Sequence, residues 1–316
     1  PIEIFSMLSM VAYNSLQSAG ILNIETFFNL FVREKSEQVV DYAERITIKD
    51  VIRGYENRIV LQRHIHNHIL FRTGQEVGIR RPCKIVIPLV SVVENNVARR
   101  LKSDESILSY LTMTAVQRKQ QQNIVARMQI ATEKGARTDK GMLFRALNQS
   151  LDNALSPFLV KGHPEPKDAV DFVINSPKVH YTMLCIASVK KWHEDRGEKV
   201  SGQLIYLNRG NDFFPHIKDY LHDQVGFKRG VKWGKVTVDE VEILDGGANQ
   251  TKKNNVIDAF NANVVKVIIG SQTIREGVDL QKRTTVGYNL YPSWNPTDIQ
   301  QWDGRFERFG NHFGYV

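Results

Sequence analysis

Apolar residues recur along this chain at two periods, and the change from one to the other divides it. At the start, Ile4, Phe5, Leu8, Val11 and Leu16 fall at helical spacing behind Pro1, a residue suited to the first helical position, so the spacing predicts an amphipathic helix. Phe27, Phe28 and Phe31 repeat that spacing and read as core rather than as a stacking platform for bases. Helical patterns then alternate with short apolar runs up to "CKIVIPLVSVV", where Ile85, Val86, Ile87 and Val90, set about Pro82 and Pro88, predict a strand. A helix with a polar, basic face is predicted over "AVQRKQQQNIVARMQIA", and the three prolines of "SPFLVKGHPEPKDAV" mark a boundary over 156–168.

Beyond residue 170 the punctuation becomes regular. Ser176 as N-cap, Pro177 in the first turn, apolar Val179, Met183, Ile186 and Val189, and Gly197 after the end define a helix. "QLIYL" is a buried strand, "NDFFPHIKDYLHDQVGF" a helix delayed by Pro215, "VEILDGG" a strand, and "NQTKKNNVIDAFN" a helix capped by Asn249. "VVKVIIG" is a strand, "SQTIREG" a turn, "TTVGYNL" a strand and "NPTDIQQWDGRFERFG" a closing helix. Such alternation predicts an α/β fold with a parallel sheet, right-handed crossovers and helices on both faces. Ligands of these sheets bind beyond the carboxyl ends of the strands, which directs attention to the loops after Leu207, Gly270 and Leu290.

Composition narrows the class. With 316 residues the chain suits two domains of roughly 150 each, and 42% hydrophobic with 24% charged residues excludes fibrous and low-complexity classes. Lys and Arg exceed Asp and Glu by 42 to 34, a net charge of +8 that favours a polyanionic partner. Residues 97–150 alone hold ten basic and four acidic residues, so the excess sits in the helical join, either as a solvated face or as a binding surface. Two cysteines, Cys83 and Cys185, stand far apart in apolar stretches; they provide no disulfide framework and no C-x-x-C metal site, and a reducing intracellular compartment is expected. No apolar run approaches about 18 residues, so no membrane span is expected. A helical pattern already under way at Pro1, without an initiator Met, implies a piece of a longer protein.

The loops carry the chemistry. In "GSQTIREGVDL", Gly277 permits positive φ and Asp279 follows closely, a turn that presents backbone N–H groups and a carboxylate to a ligand or is simply a turn. In "SWNPTDIQQWDGRFERFGN", Gln301, Gly304, Arg305 and Arg308 fit Q-x-x-G-R-x-x-R, and on a helix Gln301, Arg305 and Arg308 would share one face. Two guanidiniums there suit a γ-phosphate; the structural alternative pairs Arg308 with Asp303 or Glu307 on an exposed helix.

Taken together, these motifs resemble the second RecA-like lobe of superfamily 2 helicases, and more closely that of the Swi/Snf-type double-stranded DNA translocases. Trp294, Asn295, Pro296, Gln301, Arg305, Arg308, Gly310 and Asn311 match a W-N-P element followed by a Q-x-x-x-R-x-x-R-x-G helix. "GSQTIREGVDLQ" is similar to motif V, "QLIYLN" to motif IV, "PIEIFSMLSMV" to the segment after motif III, and "HNHILFRTGQEVGIRRPCKIVIPL" to the end of the first lobe. The resemblance divides the chain into the end of a first lobe with helical insertions (1–95), a basic helical region and linker (96–168) and the second lobe (169–316).

It implies an ATP hydrolase using ATP and Mg2+, in which Arg305 and Arg308 act as arginine fingers and Gln301 assists. Gly277, Asp279 and Gly304 would line the nucleotide side. Asn208, Arg209, Ser271, Gln272 and Thr273 would touch the backbone of double-stranded DNA, and Trp294 would buttress its turn or pack in the core. Gly304 departs from the acidic residue of the nucleosome remodellers and points to a phage, plasmid or bacterial translocase, with RNA polymerase or another large assembly as a partner and a bacterial or phage-infected cytoplasm as the setting.

Two motifs that such an ATPase needs are missing: the phosphate-cradling G-x-x-x-x-G-K-[S/T] loop and an acidic magnesium-holding motif. In "RGVKWGKVT" the glycine before Gly234 and Lys235 stands one position too close, and "DEVE" at Asp239–Glu242 sits in the wrong lobe. The fragment alone is therefore expected to be inactive. His64, His66 and His68 lack a carboxylate or cysteine at ligand spacing, so no metal site is expected, and no G-x-S-x-G or H-E-x-x-H motif occurs. The alternative is a docking or structural module that keeps the lobe's fold without catalysis.

Overall fold

The computed structural model describes residues 2–40, 46–68, 70, 76–84, 92–94, 97–99, 111–133, 140–275, 278–291, 293 and 295–316. Gly277, Trp294, and Ile85, Val86, Ile87 and Val90 of the predicted strand lie outside them. The chain divides into two compact units, Pro1–Ile79 and Arg80–Val316.

In the first unit the opening pattern forms two helices, α1 (Ile2–Val11) and α2 (Tyr13–Ser18), because Ala12 leaves the helical region at φ −131°, ψ 23°. Helix α3 (Ile24–Phe31) is capped by Asn23, whose Oδ1 accepts from Thr26 N at 2.8 Å. Leu8, Ala12, Leu16, Phe27, Phe31 and Leu61 form the core, and Val11, counted on the apolar stripe, is exposed. A long antiparallel ribbon follows, β1 (Val32–Val40) against β2 (Ile46–Tyr55), where helical and short apolar patterns were expected. Its strands carry a polar run, Arg33–Gln38, opposite Lys49, Asp50 and Arg53, and are tied across by Arg53–Glu37 and Ser36–Asp50. Helix α4 (Arg58–His66) holds His64 and His66, and among the described residues no three His, Cys, Asp or Glu side chains gather to hold a metal.

Near the start of the second unit, Cys83 bridges Tyr315: Cys83 N donates to Gly314 O at 2.8 Å and Val316 N to Cys83 O at 3.0 Å. After a short hairpin, β3 (Val92–Glu94) and β4 (Val97–Arg99), come α5 (Ala115–Glu133) and α6 (Lys140–Leu155). Gln117 and Asn153 clasp these two helices reciprocally: Gln117 Nε2 donates to Asn153 O at 2.6 Å, and Asn153 Nδ2 to Gln117 O at 2.9 Å. A 3-10 turn (Pro157–Leu159), α7 (Ala169–Ile174) and α8 (Pro177–Glu194) lead into the sheet. Ser176 stands at the start of α8 but does not cap it; its Oγ bonds Ser156 Oγ at 2.7 Å.

The sheet confirms the expected α/β class. Strands β5 (Gly202–Tyr206), β8 (Val241–Leu244), β9 (Val267–Gly270) and β10 (Thr284–Asn289) are all parallel, in the order β10-β5-β9-β8. Side chains alternate between faces. Ile205, Val267 and Ile269 pack against α7, α8 and α9 (Phe214–Asp223), while Leu204, Tyr206 and Ile268 pack against α10 (Gln250–Asn261), α11 (Gln272–Arg275) and α12 (Pro296–Asp303). With both faces covered, continuous apolar runs such as "KVIIG" are what the strands require. Within the expected turn, Gln272–Arg275 form a short helix, α11.

A hairpin, β6 (Val231–Trp233) and β7 (Val236–Val238), occupies the stretch that imitates a phosphate loop; Gly234 turns it with φ 60°. The neighbouring acidic run is engaged structurally, with Lys218 Nζ 2.8 Å from Asp239 and 3.3 Å from Glu242.

Candidate functional site

At the carboxyl end of β9, Gly270 has no room for a side chain: a Cβ there would lie 2.7 Å from Leu244 O and 2.5 Å from Ile274 Cγ2. The glycine lets α11 start directly off the strand. Ser271 is buried beneath this junction, Gln272 is exposed and Thr273 half-buried. Buried Arg275, which sequence reasoning passed over, bonds Asp298 of α12 at 3.1 Å; Asp298 also accepts from Ser293 Oγ at 2.8 Å.

The two sequence-nominated arginines reach the same segment by a different route from the one expected. Helix α12, capped by Asn295 (Oδ1 accepting from Thr297 N at 3.1 Å), stops at Asp303, with Gly304 as C-cap and turns beyond. Gln301 is exposed on the last helical turn, and Arg305 and Arg308 stand outside the helix, so the shared helical face does not exist. Trp302 and Phe306, packed edge-on at 5.5 Å, instead pin the turn to the sheet, and a Cβ on Gly287 of β10 would lie 2.4 Å from the Phe306 ring. Asn311 Nδ2 closes the turn on Thr284 O and Phe306 O, each at 2.9 Å.

So held, Arg305 Nη1 donates to Val278 O at 3.1 Å and Arg308 Nη1 to Asp279 Oδ1 at 2.7 Å. Arg308 does not pair with Asp303, which takes Lys84, or with Glu307. The Arg308–Asp279 pair is exposed at 49% and 68%, so it is worth about 0–1 kcal/mol and yields readily to a stronger anion. Beside it, Thr273, Asp279, Gln281 and Lys282 face Lys253 and Asp258 of α10 across a groove of about 530 Å³.

After β5, Asn208 is exposed, but Arg209 is engaged. Its guanidinium bonds Asp152 at 2.8 Å and Asn148, both on α6, and lies 5.2 Å from the centre of the Tyr291 ring. Burial pushes the Asp152 carboxyl above its ordinary value despite this bond. On Arg209 burial opposes the charge, yet the Asp152 bond prevails and holds the guanidinium above its ordinary value. Arg209 thus anchors the helical pair to the lobe.

The second unit is therefore an α/β lobe with its nominated polar residues gathered at the carboxyl edge of the sheet. Residues 213–310 match the family model of the helicase conserved C-terminal domain, and this region is a helicase C-terminal domain, as its motifs imply. Over 71 residues the chain is 34% identical to a protein of Acanthamoeba polyphaga mimivirus named "Putative ATP-dependent RNA helicase", covering 22% of this chain and 16% of that protein. Over 117 residues it is 27% identical to an uncharacterized killer plasmid pGKL-2 helicase of Kluyveromyces lactis, covering 34% and 18%. The matched parts thus span less than a fifth of these relatives. Among solved structures, the core of a Sulfolobus solfataricus SWI2/SNF2 ATPase in complex with dsDNA is similar at 16% identity and TM-score 0.46, over 82% of this chain and 46% of that one. The C-terminal domain of a SWI2/SNF2 ATPase from the same organism gives 20% identity and TM-score 0.43, over 58% and 70%. Among the described residues no helix is long and apolar enough to cross a membrane.

Proposed function

We propose that this chain is the C-terminal portion of a Swi/Snf-like superfamily 2 motor that hydrolyses ATP to move along double-stranded DNA. The observation that carries the reading is the convergence of Arg305 and Arg308 on Val278–Asp279 at the carboxyl edge of a parallel sheet, within a helicase C-terminal domain. The donor chemistry fits a γ-phosphate, since forked guanidiniums match phosphoryl oxygens and stabilise charge that grows on them. ATP supplies the anhydride whose cleavage drives movement, and Mg2+ and the phosphate-cradling loop belong to a partner lobe.

Within this chain, Arg308 would exchange Asp279 for the γ-phosphate, Arg305 would neutralise charge from its seat on Val278 O, and Gln301 would orient groups from the exposed end of α12. Gly277, Asp279 and Gly304 would shape the nucleotide side. Asn208, Gln272 and Thr273 would touch the DNA backbone, contacts that position without reading sequence; buried Ser271 would support the junction beneath them, and Arg209 would contribute by fixing α6 rather than by touching DNA. The test is ATP turnover by the intact protein with and without duplex DNA or RNA. Stimulation by DNA supports the reading, and turnover indifferent to nucleic acid opposes it.

A further inference from the structure

Away from the sheet's carboxyl edge, a pocket of about 250 Å³ opens between α5 and the loop 160–164. Helix α5 contributes Gln120, Asn123 and Arg127, spaced three and four apart and hence on one face. The loop contributes Lys161 and His163 on either side of Gly162, whose φ of 89° is a left-handed conformation that glycine adopts without strain. No carboxylate stands among the described lining residues, whereas the groove beside Arg308 contains Asp258 and Asp279.

The donors are partly preset. Arg127 Nε is steadied on Asn123 O at 3.2 Å. The His163 ring packs edge-on against Phe158 at 4.9 Å with Nδ1 2.9 Å from Pro164 O. An ammonium, a guanidinium and an amide around one hollow match the oxygens of a phosphate. Exposed cations are individually weak anion binders, but a polyanionic strand adds many such contacts and releases counterions at each. The pocket does not float: the Gln117–Asn153 clasp joins α5 to α6, and Arg209–Asp152 joins α6 to the loop after β5. A phosphate held at Arg127 and Lys161 therefore keeps a fixed register with Asn208.

We propose that this pocket binds a backbone phosphate of the nucleic acid, a second anchor point that moves with the lobe; the proposal rests on the nucleic-acid reading above. Duplex binding by the intact protein is measured across a salt series for wild type, R127A/K161A and the charge-keeping R127K/K161R, with inorganic phosphate titrated separately. Each lost phosphate contact should reduce the slope of log affinity against log salt by about 0.9, so the double alanine variant, which loses one such contact, should lose about 0.9 in slope and bind several-fold more weakly. The charge-keeping variant should retain the slope. Both cations are exposed, so folding is not at stake. An unchanged slope and affinity in R127A/K161A overturns the pocket while leaving the lobe's reading intact. Inorganic phosphate binding that R127A/K161A abolishes, with duplex binding untouched, assigns the pocket to a free anion and also overturns it. Failure of the wild type to bind any duplex overturns both.

Discussion

Gly287→Ala tests whether packing, rather than helical periodicity, aims the two arginines. A Cβ at 287 would lie 2.4 Å from Phe306 Cε1 and 2.7 Å from Cζ. The ring would have to retreat by about 1 Å to regain the roughly 3.5 Å separation of carbon atoms in contact. It cannot retreat freely, because Phe306 is 6% exposed and packs against Trp302, which in turn meets Tyr206 at 5.1 Å. Overpacking of this kind costs about 1–3 kcal/mol, and relief of a strand glycine offsets about 0.5–1 kcal/mol of it. A net loss of about 1–2 kcal/mol should lower the Tm by about 2–8 °C in calorimetry. Phe306 stands between Arg305 and Arg308, so ATP turnover should fall by more than lost stability explains, since a 1 Å misplacement of a reacting group can cost on the order of 10²-fold. Adding Phe306→Leu should restore part of the Tm, with a coupling of about 0.5 kcal/mol or more in a double-mutant cycle. A G287A variant as stable as wild type, or a double variant no better than the sum of the singles, refutes the reasoning.

Three further outcomes follow from the same geometry. Asn153→Ala removes the buried Nδ2 donor to Gln117 O but keeps the backbone carbonyl that Gln117 Nε2 bonds, so half the clasp is lost, which should cost about 1 kcal/mol as a shift in denaturant midpoint at unchanged m. Arg209→Ala leaves Asp152 half-buried without its partner, raising further a carboxyl already above the ordinary 3.8. A raised folded pKa gives stability that is present below the unfolded pKa and lost as pH rises through the folded one, so the deficit of R209A should widen from about pH 4 to neutrality; a pH-independent deficit would contradict it. Asp239→Asn should destabilise the Lys218 cluster yet leave ATP turnover within about twofold, whereas loss of turnover would make "DEVE" a true magnesium motif.

Legibility varied with the kind of signal. Local side-chain chemistry was readable: Asn249 accepts from Lys252 N at 2.8 Å, Asn295 caps α12, and the apolar runs at 203–207 and 264–270 supplied the central strands β5 and β9 because both sheet faces are covered. Spacing across a helix end was not. Gly304 marked the stop of α12, but the Q-x-x-G-R-x-x-R pattern suggested continuity, and the arginines are aimed by Phe306, Trp302 and Asn311. Ribbon β1–β2 escaped because its charged residues blur the two-residue period, and its stability comes from cross-strand pairs that a linear pattern does not display. Hairpin β6–β7 was legible in principle, as alternating valines and threonine around Gly234–Lys235, once the search for a phosphate loop is set aside. The bond from Arg209 to Asp152 joins residues far apart in sequence, and no local pattern announces it.

The central claim is that Arg308 acts on the γ-phosphate. Because its pairing with Asp279 is exposed, Arg308→Ala should leave the Tm essentially unchanged. Steady-state ATP hydrolysis by the intact protein at saturating duplex DNA measures the claim directly. The account predicts that R308A lowers kcat by about 10³-fold or more with a much smaller change in KM; a kcat within about twofold of wild type would contradict it.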